Sequence, residues 1–202
     1  MENSTNIKKY KRLAPVYNLL MGNSFFLKAR IRAFQLLNLK PDDRVLLAGV
    51  GTGIDIPLIP DYCSMTGIDI SEAMLDKARK NYSDRRIELI NMNAEELGFP
   101  DNSFDFVVLN LILSVVENPR QTMSEAIRVL TPKGKILVFD KFLLSQKKIG
   151  VVRRSINKIS SFIGTDINRS FDDIIQGQSV RVILDEASVF RGNYRIIVLK
   201  QS

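Results

Sequence analysis

Histidine is absent from all 202 residues, and cysteine occurs once, at Cys63. A lone cysteine excludes an intrachain disulfide, and without histidine no Cys/His zinc site can be assembled; no metal site is expected. A reducing compartment fits. Any proton-transfer group must be a carboxylate, a tyrosine or a lysine, unless the substrate arrives already nucleophilic. Glycine and proline are sparse, at 11 and 7 residues, which sets aside disordered and low-complexity classes. Long apolar runs are missing as well. The longest nearly unbroken one, "FDFVVLNLILSVV", is too short for a bilayer span and is broken by Asn110, and "MENSTNIKKYKR" at the start has no apolar signal core behind it. The expectation is one soluble, cytoplasmic domain, 45% apolar and able to bury a core.

Charge of one sign is in excess: lysine and arginine outnumber aspartate and glutamate 29 to 22, a net charge of +7. Such a balance favours an anionic partner, whether nucleic acid, an acidic lipid surface or an acidic small molecule.

Along the chain, helical and strand-like spacing alternate. Residues 6–20 and 24–38 have helical periodicity, and "VLLAGV" and "SMTGIDI" are short apolar runs. Ser71 can cap a helix over "SEAMLDKARKNY". "RIELINM", "FDFVVLN" and "KILVFD" are further strand candidates, with the helix "RQTMSEAIRVL" between the last two; "VRVILDE" and "YRIIVLK" close the chain. Strands and helices in turn predict an α/β fold with a mostly parallel sheet covered on both faces. Two strand candidates at the end with no helix between them predict an antiparallel tail.

Gly49, Gly51 and Gly53 stand at alternate positions just past the first predicted strand, where ligands bind in such sheets. Their spacing would let a ligand approach main-chain N–H groups directly. The dinucleotide fingerprint needs glycine at position 54, which is Ile54, and no G-K-[ST] follows to make a phosphate-binding loop. Asp69, at the end of the second strand candidate, can accept hydrogen bonds from ribose hydroxyls. Glycine loop and acidic strand end together describe an adenosine site with no demand for pyrophosphate.

Five segments in order then resemble the class I S-adenosylmethionine-dependent methyltransferases, in particular the ubiquinone/menaquinone and phospholipid methyltransferase group. They are "YKRLAPVYNLL", "LLAGVGTG", "TGIDISEAMLDKAR", "NMNAEELGFPDNSFDFVVLN" and "EAIRVLTPKGKILVFD". The resemblance implies a Rossmann-like seven-stranded sheet with helices on both faces and an antiparallel last strand, and S-adenosyl-L-methionine as cofactor. It places the loop of Gly49, Gly51, Thr52 and Gly53 against the methionine part, Asp69 on the ribose and Ile70 on the adenine. Asn93 would accept from the adenine amino group where the family often has an acid, Ala94 would present its N–H to the ring, and Asn110 would lie near cofactor and substrate. Leu47 stands where the family commonly carries an acid, and Lys133 where it has a glycine. Near the mouth, Tyr10, Tyr17, Asp140 and Lys141 are candidates for contact with the substrate; no catalytic residue is assigned.

The resemblance divides the single domain 1–202 into an N-terminal helical cap (1–40), a cofactor-binding core (41–140), a cap insertion (141–170) and a closing helix with strands (171–202). Residues 146–173 are amphipathic if helical, with Ile149, Val152, Ile156, Ile159 and Ile163 along one side and lysines and arginines elsewhere. They fit a cap over the acceptor pocket, peripheral contact with an anionic membrane, or an ordinary surface helix. Three functions stay open: a methyltransferase for a small-molecule or lipid acceptor, an RNA methyltransferase, and a cofactor-binding protein without catalysis. The acceptor, the methylated atom and the oligomeric state are not legible.

Overall fold

The computed structural model describes residues 24–142 and 169–202. The predicted helix over 6–20, Tyr10 and Tyr17, and most of the segment 146–173 lie outside the described residues. The first described element, α1 (Ser24–Gln35), buries Phe26, Ala29, Arg30, Ala33 and Phe34, an i, i+3, i+4, i+7, i+8 stripe. Its aromatic anchor, Phe26, meets Phe139 and Tyr194 edge-on, with centroids 6.2 and 5.1 Å away.

Seven strands form one sheet: β1 (Arg44–Ala48), β2 (Ser64–Asp69), β3 (Ile87–Asn91), β4 (Phe104–Asn110), β5 (Leu130–Lys141), β6 (Val180–Ala187) and β7 (Tyr194–Gln201). Their order is β3-β2-β1-β4-β5-β7-β6, and only β7 runs antiparallel to its neighbours. Central strands read as near-continuous apolar runs because both faces are covered: Val45 to Ala48 and Phe106 to Asn110 are all buried. On one face lie α1 and α2 (Glu72–Asn81), the latter through Leu75 and Ala78. The other face carries α3 (Pro119–Val129), through Met123, Ala126 and Val129, and α4 (Phe171–Ile175), through Phe171 and Ile174. Burying each such large side chain contributes about 1.5–3 kcal/mol.

Local chemistry sets the helix starts. Asn118 caps α3, its side-chain oxygen accepting from Gln121 N–H at 3.1 Å, with Pro119 in the first helical position. Ser71 does occupy the N-cap position of α2, but its side chain makes no capping bond. The two closing strands are antiparallel, as expected, with one difference: a single turn, α5 (Val189–Gly192), separates β6 from β7.

Candidate active site

Strand order reverses between β1 and β4, and a cleft of about 690 Å³, counted to its open mouth, lies at the carboxyl ends of β1 to β4. Its lining comes from Gly49 and Gly51 after β1, Asp69, Ile70 and Met74 after β2, Met92, Asn93 and Ala94 after β3, and Asn110 to Ile112 with Val115 and Val116 after β4.

The glycine loop makes its space by lacking side chains. Gly49 and Val50 both donate to the Ile68 carbonyl at 2.8 Å, Gly51 donates to Asp69 Oδ2 at 2.9 Å, and Gly53 to the Val50 carbonyl at 3.0 Å. These N–H groups are spent inside the fold, which corrects the expectation that a ligand meets them. A Cβ added at Gly51, whose φ is +56°, would touch nothing within 4 Å and would stand in open space at the cleft. At Gly49 and Gly53 the same atom would lie 2.7 Å from Ile112, and from Ile56 and the Tyr82 ring, respectively. Those two glycines answer to packing.

Asp69 ties the loop to the start of α2. Its Oδ2 takes the Gly51 N–H and its Oδ1 the Ser71 N–H at 2.8 Å, which satisfies the donor that a capping serine leaves open. Burial pushes this carboxyl up to about 6, against the two backbone hydrogen bonds that favour the charged form. An ionised carboxylate offers about four lone-pair positions, so about two remain for a ligand.

Beyond β3, the Asn93 side-chain oxygen accepts Glu95 N–H at 3.0 Å, and Glu95 Oε1 accepts from Glu117 and Asn118 N–H at 2.8 and 3.0 Å. These bonds pin the post-β3 turn to the start of α3. Arg128 braces the same wall from behind, donating to the carbonyls of Leu97 and Phe99 and to Glu125 and Asp101, each at 2.8 Å. The guanidinium holds the Glu125 carboxyl below its usual range.

After β4 the chain turns sharply at Leu111, a bulky residue held at φ +57°. Its N–H donates to the Phe139 carbonyl at 2.8 Å, and Ser114 N–H donates to Asp140 Oδ2 at 2.9 Å. Arg169 clamps the loop from outside, donating to the carbonyls of Leu113 and Val116 at 2.5 and 2.7 Å. A strained turn fixed from three sides presents Leu111, Ile112, Val115 and Val116 to the cleft.

Of the residues singled out from sequence, Gly49, Gly51, Asp69, Ile70, Asn93, Ala94 and Asn110 converge on this cleft. Thr52 and Gly53 do not line it: Thr52 is buried beneath the loop, and Ile56 and Tyr82 fill the space over Gly53. Asp140, proposed for the mouth, is fully buried; it holds the post-β4 loop through Ser114 and its own chain through Lys141 N–H, and burial drives its carboxyl upward. Lys141 is half-buried and outside the lining. Sequence reasoning missed Arg30 and Asp55, which form a buried ion pair at 2.5 Å, and Asp55 Oδ2 accepts from Asn110 Nδ2 at 2.9 Å. The signal was available, since Arg30 falls on the apolar stripe of α1.

Residues 46–138 match the family described as a methyltransferase domain. The chain is 35% identical over 125 residues to phosphatidylethanolamine N-methyltransferase of Cereibacter sphaeroides, covering 60% of this chain and 62% of that protein. It is 31% identical over 143 residues to demethylmenaquinone methyltransferase of Listeria monocytogenes, covering 66% and 60%. The chain thus spans about three fifths of the length of these curated relatives. Among solved structures, geranyl diphosphate C-methyltransferase of Streptomyces coelicolor, in complex with Mg2+, geranyl diphosphate and S-adenosyl-L-homocysteine, superposes with a TM-score of 0.73 at 13% identity, over 88% of this chain and 81% of that one. Residues 46–138 thus match a methyltransferase-domain family, and the seven-stranded sheet has the fold of a solved methyltransferase.

Proposed function

We propose that this chain transfers the methyl group of S-adenosylmethionine to a small-molecule or lipid-type acceptor of the quinone or phospholipid class. The residues present fit the cofactor: an acidic side chain with lone pairs to spare, open space over Gly51, and a buried acceptor oxygen, Asn110 Oδ1, with no partner among the described residues. Asp69 would hold the ribose hydroxyls, Ile70, Asn93 and Ala94 the adenine, and the bare backbone of Gly49 and Gly51 the methionine part. The cofactor supplies an activated methyl on a sulfonium, so the chain has to align the acceptor and exclude water.

The wall after β4 carries the acceptor assignment. Leu111, Ile112, Val115 and Val116, with Met74, make a mostly apolar surface beside the adenosine positions, suited to an apolar acceptor. Among the described lining residues, Asp69 is the one titratable group, and it lies at the ribose position. Among the described lining residues no side chain is placed to deprotonate an acceptor, which favours an acceptor that enters as a nucleophile in its own right. The names of the two curated relatives, a phospholipid and a quinone methyltransferase, support the same class.

The test supplies S-adenosylmethionine labelled on its methyl group, with total lipid extract or bulk RNA as acceptor. Label in the lipid fraction is the expected result. Label in RNA overturns the acceptor class, and cofactor binding with no transfer to either would make the chain a binding protein.

A further inference from the structure

A buried polar relay runs from α1 to the cleft. Arg30, 3% exposed, donates from Nη1 to Asp55 Oδ1, and Asp55 Oδ2 takes the Asn110 amide N–H. A carboxylate paired with a guanidinium only accepts, so the Asn110 amide can meet it with its NH2 end alone. Turning the amide over would set oxygen against oxygen. Oδ1 is thereby fixed at the opposite corner of the amide, in the same plane, buried and without a hydrogen bond among the described residues, on a residue that lines the cleft.

A buried acceptor in that state calls for a donor from outside the chain. The other side-chain acceptors of the lining are committed: Asp69 to the loop and, on the reading above, the ribose; Asn93 to Glu95 N–H. Asp69 and Asn93 mark the adenosine end at β2 and β3, and Asn110 ends β4, two strand positions from β2, about 10 Å across the sheet. The far end of the cofactor carries an ammonium, which donates, and a carboxylate, which accepts; of these, a carbonyl oxygen matches the ammonium alone. Asp69 is the one acid of the described lining, and Asp55, which lies behind Asn110 and is engaged by Arg30 and the amide N–H, does not line the cleft.

We propose that Arg30 and Asp55 are positioning residues that lock the Asn110 amide with its oxygen toward the α-ammonium of the cofactor. The proposal rests on the cofactor reading above, and the test separates the two. Calorimetry would compare S-adenosylhomocysteine with 5′-methylthioadenosine, which keeps the adenosine and the sulfur but has no amino-acid tail. In Asn110→Ala the dissociation constant for S-adenosylhomocysteine should rise about ten- to a hundredfold, the scale of a charge-assisted hydrogen bond, while that for methylthioadenosine stays within about twofold. Asp55→Asn gives Asn110 a neighbour that can donate or accept, so the amide is no longer locked and the same selective loss should appear, several-fold in size. Because Asp55→Asn removes the carboxylate that Arg30 meets in this pair, the double variant Arg30→Met/Asp55→Asn, checked by thermal melting, provides a folded alternative. Equal changes for both ligands, or no change for S-adenosylhomocysteine in Asn110→Ala, would overturn the assignment of the oxygen. Selective loss in Asn110→Ala with none in the Asp55 variants would overturn the positioning role. Failure of the wild type to bind either ligand would instead overturn the cofactor reading itself.

Discussion

Acidification from about pH 7.5 to about pH 5 should weaken cofactor binding through a single carboxyl. Burial pushes Asp69 up to about 6, and its lone pairs are the proposed acceptors for ribose hydroxyls. Those hydroxyls bond more strongly to the ionised form, so binding favours expelling a proton wherever Asp69 is protonated in the free protein. With a pKa of about 6, the ionised fraction is about 97% at the upper pH and about 9% at the lower. The dissociation constant for S-adenosylhomocysteine should therefore rise about tenfold, or about 1.4 kcal/mol. Stability moves the other way. The folded pKa lies above the ordinary aspartate value of 3.8, so this group favours the fold most below pH 3.8, and that contribution is lost as pH rises through about 6. Over the window in which binding weakens, Asp69 by itself makes the fold no less stable, which separates a lost ligand contact from acid unfolding. No histidine exists to produce the same limb. Asp140, also driven upward by burial, faces Ser114 and lies outside the cleft lining. Calorimetry across the range, repeated in buffers of different ionisation enthalpy, would count the released proton. A flat wild-type profile, or an unchanged limb in Asp69→Asn, refutes the assignment.

Two further tests separate ligand-facing groups from structural ones. Gly51→Ala should cost about 1–2 kcal/mol in urea unfolding, the strain of a side chain at positive φ, yet abolish measurable S-adenosylhomocysteine binding because its Cβ occupies the cleft. Gly53→Ala adds overpacking against Ile56 and Tyr82 and should cost more, about 2–5 kcal/mol; a smaller loss than in Gly51→Ala would show that the packing account is wrong. Asp140→Ala strands the buried Ser114 N–H and should lower stability by about 1–3 kcal/mol while weakening cofactor binding through the loosened post-β4 loop; an unmoved urea midpoint would remove Asp140 from that role.

The sheet was legible because its central strands must be apolar on both faces, and seven such runs can be counted. What escaped was set by contacts distant in sequence. The fifth strand is evident from "KILVFD", yet β5 begins at Leu130, straight out of α3, because Phe104 pairs with Leu130 and the register then shifts before Phe106 pairs with Lys135, across a stretch where Pro132 and Gly134 have no strand character of their own. The turn α5, four residues long, is too short for any periodicity to show. Edge strands departed from the expected double burial: β3 and β6 carry neighbours on one side only, and Val182 and Ile183 of β6 remain exposed.

At the site, residue type and position after a strand pointed to Asp69 and the family resemblance added Asn93 and Asn110; all three line the cleft at the strand ends. Residue type was not enough to say what the glycines do. Three at alternate positions suggest donors for a ligand, but in the fold four of the loop's N–H groups serve the Ile68 carbonyl, Asp69 and Val50, leaving empty volume at Gly51 as the functional quantity. The relay was hidden for a different reason. Arg30, Asp55 and Asn110 are separated by 25 and 55 residues, so no motif spacing can contain them. Even so, an arginine on the stripe of Phe26, Ala29 and Ala33 states a physical demand: a guanidinium taken out of water must find a carboxylate, and that carboxylate must be buried with it. Asp55, 8% exposed just beyond the glycine loop, meets the demand and passes its orientation to Asn110. A charge that looks misplaced on a core face is, in this fold, what reaches the cofactor cleft from its far side.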